Sequence, residues 1–246
     1  MIFSLSSKSA YNSDSRILEL NGLPFERVAD FKFLGIHLNQ HLSWKPHMNE
    51  ILKKIQRNLS IVRKISCFLD RHSLVQLYHS LIMSHIRNGI TIWHHGQSAL
   101  RKKIQACANK FIRIIFFLKP QDSVRELMKE NRLMSVNQIF TLESAKTMQG
   151  VILKKSPVPI SAIFANRVRT TQTQTRSGSY FIPCNTTRVK CRQTLRYCGP
   201  MIWNDLPNHV KWKDIANPEN NQPTPLDFTR FCTNLKNFIF SETPFI

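Results

Sequence analysis

The hydrophobic positions of this chain change period along its length. Over residues 17–38 they fall in short runs suited to strands. Ile17-Leu18-Glu19-Leu20 leads into Asn21-Gly22, a dipeptide that favours a two-residue hairpin turn, and Pro24-Phe25-Glu26-Arg27-Val28 continues beyond it. Phe31 to Leu38 reads as a third strand, with Gly35 marking a bulge or the close approach of another backbone.

From Pro46 the period becomes helical. Met48, Ile51, Leu52, Ile55, Leu59, Val62 and Ile65 share one face. A second helix is expected from about Ser73 to Trp93, with Leu74, Leu77, Tyr78, Leu81, Ile82, His85 and Ile86 inward. A third runs from about Ala99 to Leu118, with Leu100, Ile104, Ala108, Phe111, Ile112 and Ile115 inward, and Lys119-Pro120 closes it. Shorter patterns place a fourth helix near 122–130 and a fifth near 135–153. The connections are short, so consecutive helices pack as antiparallel or steeply crossed neighbours. Residues 154–179, with Pro157, Pro159 and a Thr/Gln/Arg/Ser run, read as a linker. Residues 180–203 read as short strands, Trp203 to Pro207 as a helix or turn entry, and 213–225 as an exposed loop. Leu226 to Phe240 closes the chain as an amphipathic helix carrying Phe228, Phe231, Leu235 and Phe238. The fold class is α+β, mainly helical, with a small N-terminal β-hairpin piece, a central helical bundle and a C-terminal α+β region.

Charge changes this picture more than composition does. The 246 residues are 42% hydrophobic, enough for a cored protein, and no apolar run approaches the roughly 18 residues of a membrane span. Six scattered cysteines read as reduced thiols of an intracellular protein, nuclear or cytoplasmic, and the start lacks a secretory signal. Against 15 Asp and Glu stand 35 Lys and Arg, a formal net charge of +20. Between Ile51 and Gln121 thirteen bases face a single carboxylate, Asp70. Between Ser144 and Asn204 ten bases face none. Ordinary solvated helices mix signs, because like charges one turn apart repel. A surface left this one-sided is suited to phosphates, and nucleic acid is the expected partner.

Catalytic and metal chemistry find little support. Two-metal phosphoryl transfer needs clustered carboxylates. Asp14, Glu19, Glu26, Asp30, Glu50 and Asp70 are scattered over turns and helix ends, and Glu126 and Glu130 read as surface groups. Cys184, Cys191 and Cys198 recur every seven residues, a spacing unlike a zinc motif, and His94-His95 reads as a packed or solvated pair. No catalytic residue, metal site or cofactor is assigned. Of the four tryptophans, Trp93 and Trp203 sit in apolar settings and read as core; Trp212, between Lys211 and Lys213, is the candidate for stacking on bases. The opening Ile2-Phe3-Ser4 is strand-like, and two or three strands make an incomplete sheet layer, so Met1 is expected to be an internal methionine of a longer ancestral chain.

An ordered set of short motifs then carries a family likeness. It comprises Phe31-Lys32-Phe33-Leu34-Gly35, Leu42-Ser43-Trp44-Lys45-Pro46-His47, Lys54-Ile55, Leu77-Tyr78 with Leu81-Ile82, and Trp93 with Gly96. Ile104-Gln105, Asn109-Lys110, Arg113-Ile114-Ile115, Thr175-Arg176 and Gly199 to Pro207 follow. The set resembles the post-catalytic part of reverse transcriptases from non-LTR retrotransposons of the jockey-like and chicken-repeat-like kind. It departs at His94 and at Lys190-Cys191-Arg192, where the family pattern has glycine. The resemblance implies that residues 1–45 end a palm with a primer-grip-like hairpin at Phe33, Leu34 and Gly35. It implies a thumb-like helical domain over 46–153, a linker over 154–179 and a C-terminal region over 180–246. It also implies that the catalytic aspartates, with the magnesium they hold in the intact enzyme, are missing.

The expected function is therefore a reverse-transcriptase fragment without polymerase activity of its own. It keeps a basic surface for non-specific binding of an RNA or DNA primer–template duplex. Lys53, Lys54, Arg57 and Lys64 on one helix, with Arg101, Lys102, Lys103, Lys110 and Arg113 on another, would track phosphates. Residual polymerisation would need carboxylates supplied in trans by an intact element protein. Two other readings stay open: an inert product of a degenerate transposon reading frame, and a generic basic helical protein that binds RNA or DNA.

Overall fold

The computed structural model describes residues 19–24, 28–165, 181–182, 184–185, 189–192, 194–216 and 223–242. The expected strand-like opening at Ile2, the stretch 166–179 of the expected linker and the Thr175-Arg176 motif lie outside them. The chain is mainly helical with small antiparallel hairpins. Its elements are β1 (Glu19–Leu20), β2 (Leu23–Pro24), β3 (Asp30–Phe33), β4 (Ile36–Asn39), α1 (Lys45–Ile65), α2 (Arg71–Tyr78), α3 (Ser84–Arg87), α4 (Ile90–Trp93), α5 (Ser98–Ile115) and α6 (Arg125–Glu130). They continue as α7 (Val136–Ile152), α8 (Val158–Phe164), α9 (Val189–Arg192), α10 (Leu195–Asp205), α11 (Asn208–Lys211), β5 (Trp212–Ala216), β6 (Pro223–Pro225) and α12 (Phe228–Glu242). Two compact units result. One comprises Met1–Gly89 and Gly96–Asp122, the other Ile90–His95 and Ser123–Ile246.

In the first unit, β1 pairs with β2 across Asn21-Gly22, both at positive φ as the type I′ hairpin turn requires. The stretch expected as one strand over 31–38 is instead a second hairpin. β3 pairs with β4 in the register Phe33↔Ile36, and Leu34 (φ +46°) and Gly35 (φ +83°) form its tip. A Cβ on Gly35 would lie 3.2 Å from Asn88 Nδ2, so the glycine serves both the turn and a close side-chain approach. α1 turns Met48, Ile51, Ile55, Leu59 and Val62 into the core and packs along α5, which contributes Leu100, Ile104, Ala108, Phe111, Ile112 and Ile115. The expected long second helix breaks. Asp70 caps α2, accepting the His72 and Ser73 N–H groups at 3.1 and 3.4 Å. A π turn over His79–Met83 links α2 to α3, and Asn88-Gly89, with Gly89 at φ +63°, stops the helix before Ile90. Tyr78 meets Phe111 at 5.6 Å in the centre.

In the second unit α7 is the hub, because apolar and small residues surround most of its circumference. Val136, Ile139, Phe140, Leu142, Ala145 and Met148 are buried, with α4, α8, α10 and α12 packed on it. Ser135 and Gln138 form a reciprocal capping box at its start. Buried amides tie the C-terminal segment to this helix: Gln138 Nε2 donates to the Ile239 carbonyl and Gln149 Nε2 to that of Leu226. Residues 158–164, expected within a linker, form α8 and bury Phe164. Where strands were expected over 180–203, the described residues from Val189 onward form α9 and α10 instead. Gly199 and Pro200 weaken helix propensity there, but tertiary packing overrides it: a Cβ on Gly199 would lie 2.7 Å from Met148 Sδ, so glycine permits the close approach of α10 to α7. The loop expected over 213–225 holds the irregular β5–β6 hairpin.

Three helices end alike. After α5, Leu118 N–H donates to the Arg113 carbonyl and Phe117 N–H to that of Ile114; Leu133 and Arg132 close α6 and Lys155 and Lys154 close α7 in the same pattern. This is the Schellman arrangement, whose left-handed position normally holds glycine. Here it holds Phe117, Arg132 and Lys154, at φ +53°, +52° and +54°. Replacing Arg132→Gly or Lys154→Gly is expected to stabilise the protein by roughly 0.5–1 kcal/mol each, read as a rise in the denaturation midpoint.

Candidate nucleic-acid interface

α1 completes a turn about every 3.6 residues, so its buried arc of Met48, Ile51, Ile55, Leu59 and Val62 leaves Lys53, Arg57 and Lys64 in one line on its back. All three are exposed and form no ion pair among the described residues. Lys54 sits on the flank, half-buried, with Nζ 3.9 Å from Glu50 Oε1. Arg63 and Lys64 also complement the negative end of the helix dipole. On α5, Lys102, Lys103 and Lys110 are exposed, and Lys103 and Lys110, seven positions apart, share a flank. Arg101 and Arg113 are half-buried. Burial lowers the Arg101 pKa, and Arg113 Nε donates to the Asp122 carbonyl at 3.0 Å. α1 and α5 turn their buried faces toward a shared core. The fold gathers Lys53, Arg57 and Lys64 on the back of one helix and Lys103 and Lys110 on a flank of the other.

Three described acids of this unit, Glu50, Asp70 and Asp122, are engaged locally. Asp70 is an N-cap, and Asp122 Oδ2 accepts the Lys119 N–H at 2.8 Å. The positive field registers on neighbouring histidines: burial first, then Lys54 and Arg57, lower the His85 pKa. The hairpin tip is exposed and apolar, with Phe33 at 55% and Leu34 at 82% of full exposure, while Gly35 is half-buried.

Other candidates are absorbed by packing. Trp212, the expected base-stacking residue, sets its ring edge-on to Trp203 at 6.2 Å, and Lys211 is buried with Nζ donating to the Asn204 carbonyl at 3.0 Å. Polarity around Trp212 in sequence concealed that contact. His94 stacks on Phe140 at 4.0 Å and meets Asn137 Oδ1 through Nε2, while His95 Nε2 lies 3.3 Å from Cys198 Sγ. Among the described residues no group of three or more His, Cys, Asp or Glu side chains is placed to hold a metal. Nor is any described helix long and apolar enough to cross a membrane. Comparison with family models, curated proteins and solved structures finds no match for this chain.

Sequence reading missed His47. It is buried under the β3–β4 hairpin, and the His37 N–H points at its Nδ1 from 3.5 Å. Its place at i−1 of the Met48 face was the available signal. Burial, then His37 and Lys54, lower its pKa to about 4 from the ordinary 6.5. The unfolded chain therefore takes up a proton near pH 6.5 that the fold refuses until about pH 4, and stability is lost as pH falls through that window. The denaturation midpoint is expected to drop between pH 6.5 and 4, and to drop less in His47→Gln.

Proposed function

We propose that this chain is the non-catalytic, post-catalytic-palm, thumb and C-terminal portion of a retroelement reverse transcriptase and that it binds the phosphate backbone of nucleic acid without reading sequence. The observation that carries the reading is the line of Lys53, Arg57 and Lys64 on the solvent face of α1, in a tract whose one carboxylate is committed to a helix cap. Phosphate contacts need positive groups on a rigid element at helical spacing and carry no base information. The position of an exposed hairpin tip at Phe33, Leu34 and Gly35, ahead of a helical bundle, agrees with the order of a primer-grip hairpin followed by a thumb. In the intact enzyme that tip would meet the primer strand.

Binding of an RNA–DNA duplex to the full chain, followed by fluorescence anisotropy across salt concentrations, tests this reading. About six phosphate contacts give a log–log slope near −5, and the triple variant Lys53→Ala, Arg57→Ala, Lys64→Ala is expected to flatten it by about 3. A slope near zero in the unaltered protein rejects the reading. Replacing Lys103 and Lys110 together tests whether the second helix adds contacts.

A further inference from the structure

The end of the first unit where α1 turns into α2 carries two phenylalanines that the core does not use. Phe68, in the short 3₁₀ turn Ser66–Phe68, is 84% exposed, and Phe117, just past α5, is 67% exposed. One contact brings them to the same end: the Arg71 guanidinium lies over the Phe116 ring at 5.3 Å. Phe68 precedes Arg71 by three residues and Phe117 follows Phe116 directly. Phe117 is unfavourable twice over, as an apolar ring in water and as a bulky residue at φ +53° in a position that suits glycine. Exposed bases lie near the pair along the chain: Arg63 and Lys64 in the last turn of α1, Arg71 at the start of α2, and Lys119 two residues after Phe117. The acids at this end, Asp70 and Asp122, spend their carboxylates on backbone N–H groups.

Exposed aromatic rings among uncompensated cations fit unpaired nucleotides, whose bases stack on π faces while their phosphates meet the bases of the protein. A duplex hides its base faces and gains nothing from such rings. We propose that this end of the unit is a stacking platform for single-stranded nucleic acid, with Phe68 and Phe117 as the stacking residues and Lys64, Arg63 and Lys119 as the phosphate contacts. The proposal rests on the nucleic-acid reading above and adds to it a preference for unpaired strands at a defined place.

The structure supplies a discriminating variant. Phe117→Gly relieves the left-handed strain, so it is expected to unfold at an equal or higher denaturant concentration while losing the ring. Phe68→Ser removes the other ring from a position outside the core. Binding of the full-length protein and each variant to a twelve-nucleotide deoxythymidine strand, and to a twelve-base-pair duplex, would be measured at one fixed salt concentration and across a salt series. Each variant is expected to weaken single-strand binding roughly 5- to 100-fold, with an unchanged salt slope and unchanged duplex binding. Unchanged single-strand affinity, or equal losses for strand and duplex, overturns the platform while leaving the backbone-binding reading in place. Failure of the unaltered protein to bind either probe overturns both, and is seen without any variant.

Discussion

Everything in the first unit depends on the apolar contact between α1 and α5. Those two helices carry most of the bases in a tract with thirteen of them and one carboxylate. Burying a large apolar side chain contributes roughly 1.5–3 kcal/mol, and α5 alone turns Leu100, Ile104, Phe111, Ile112 and Ile115 inward. A like-charge pair one turn apart costs only about 0.2–0.5 kcal/mol. Packing therefore outweighs self-repulsion by a wide margin, and the bases tolerate the absence of acids so long as they stay on the solvent side. Lys53, Arg57 and Lys64 do so on α1, as do Lys103 and Lys110 on α5.

The same arithmetic explains what the unit leaves unsatisfied. Among its described acids, Asp70 caps a helix, Asp122 closes a turn and Glu50 pairs with Lys54. Burial first, then Lys54 and Arg57, lower the His85 pKa, and the buried His47, also near Lys54, accepts the His37 N–H and so ties the β3–β4 hairpin to α1.

Much of this was legible in the chain because period and caps act locally. The hairpin at Asn21-Gly22, the inward face of α5 and most of those of α1 and α12 follow from turn chemistry and spacing, but Ile65 and Phe228, expected on the α1 and α12 faces, are exposed, and Ile239 rather than Phe238 is buried on α12. Misreadings arose where a residue sits against its own preference. Leu34 in a left-handed turn hid the second hairpin, and Phe117 in a glycine position hid the true end of α5. Asn88-Gly89 was a readable stop signal that the surrounding apolar run obscured. The helix α10 carries Gly199-Pro200 and forms because α7 receives it closely, a tertiary effect that no local pattern encodes. For the candidate interface, charge was visible in sequence but direction was not. The half-burial of Arg101 and Arg113 emerges only when α5 packs.

The central claim is that phosphates complement the solvent face of α1, and lysine footprinting reads this most directly. The full-length protein would be acetylated briefly with and without an RNA–DNA duplex, and modification at each lysine quantified by mass spectrometry. The account predicts strong protection of Lys53 and Lys64, with Lys129 on α6 in the other unit modified equally in both samples. Equal protection of all these lysines, or none at Lys53 and Lys64 under conditions where the duplex binds, would contradict it.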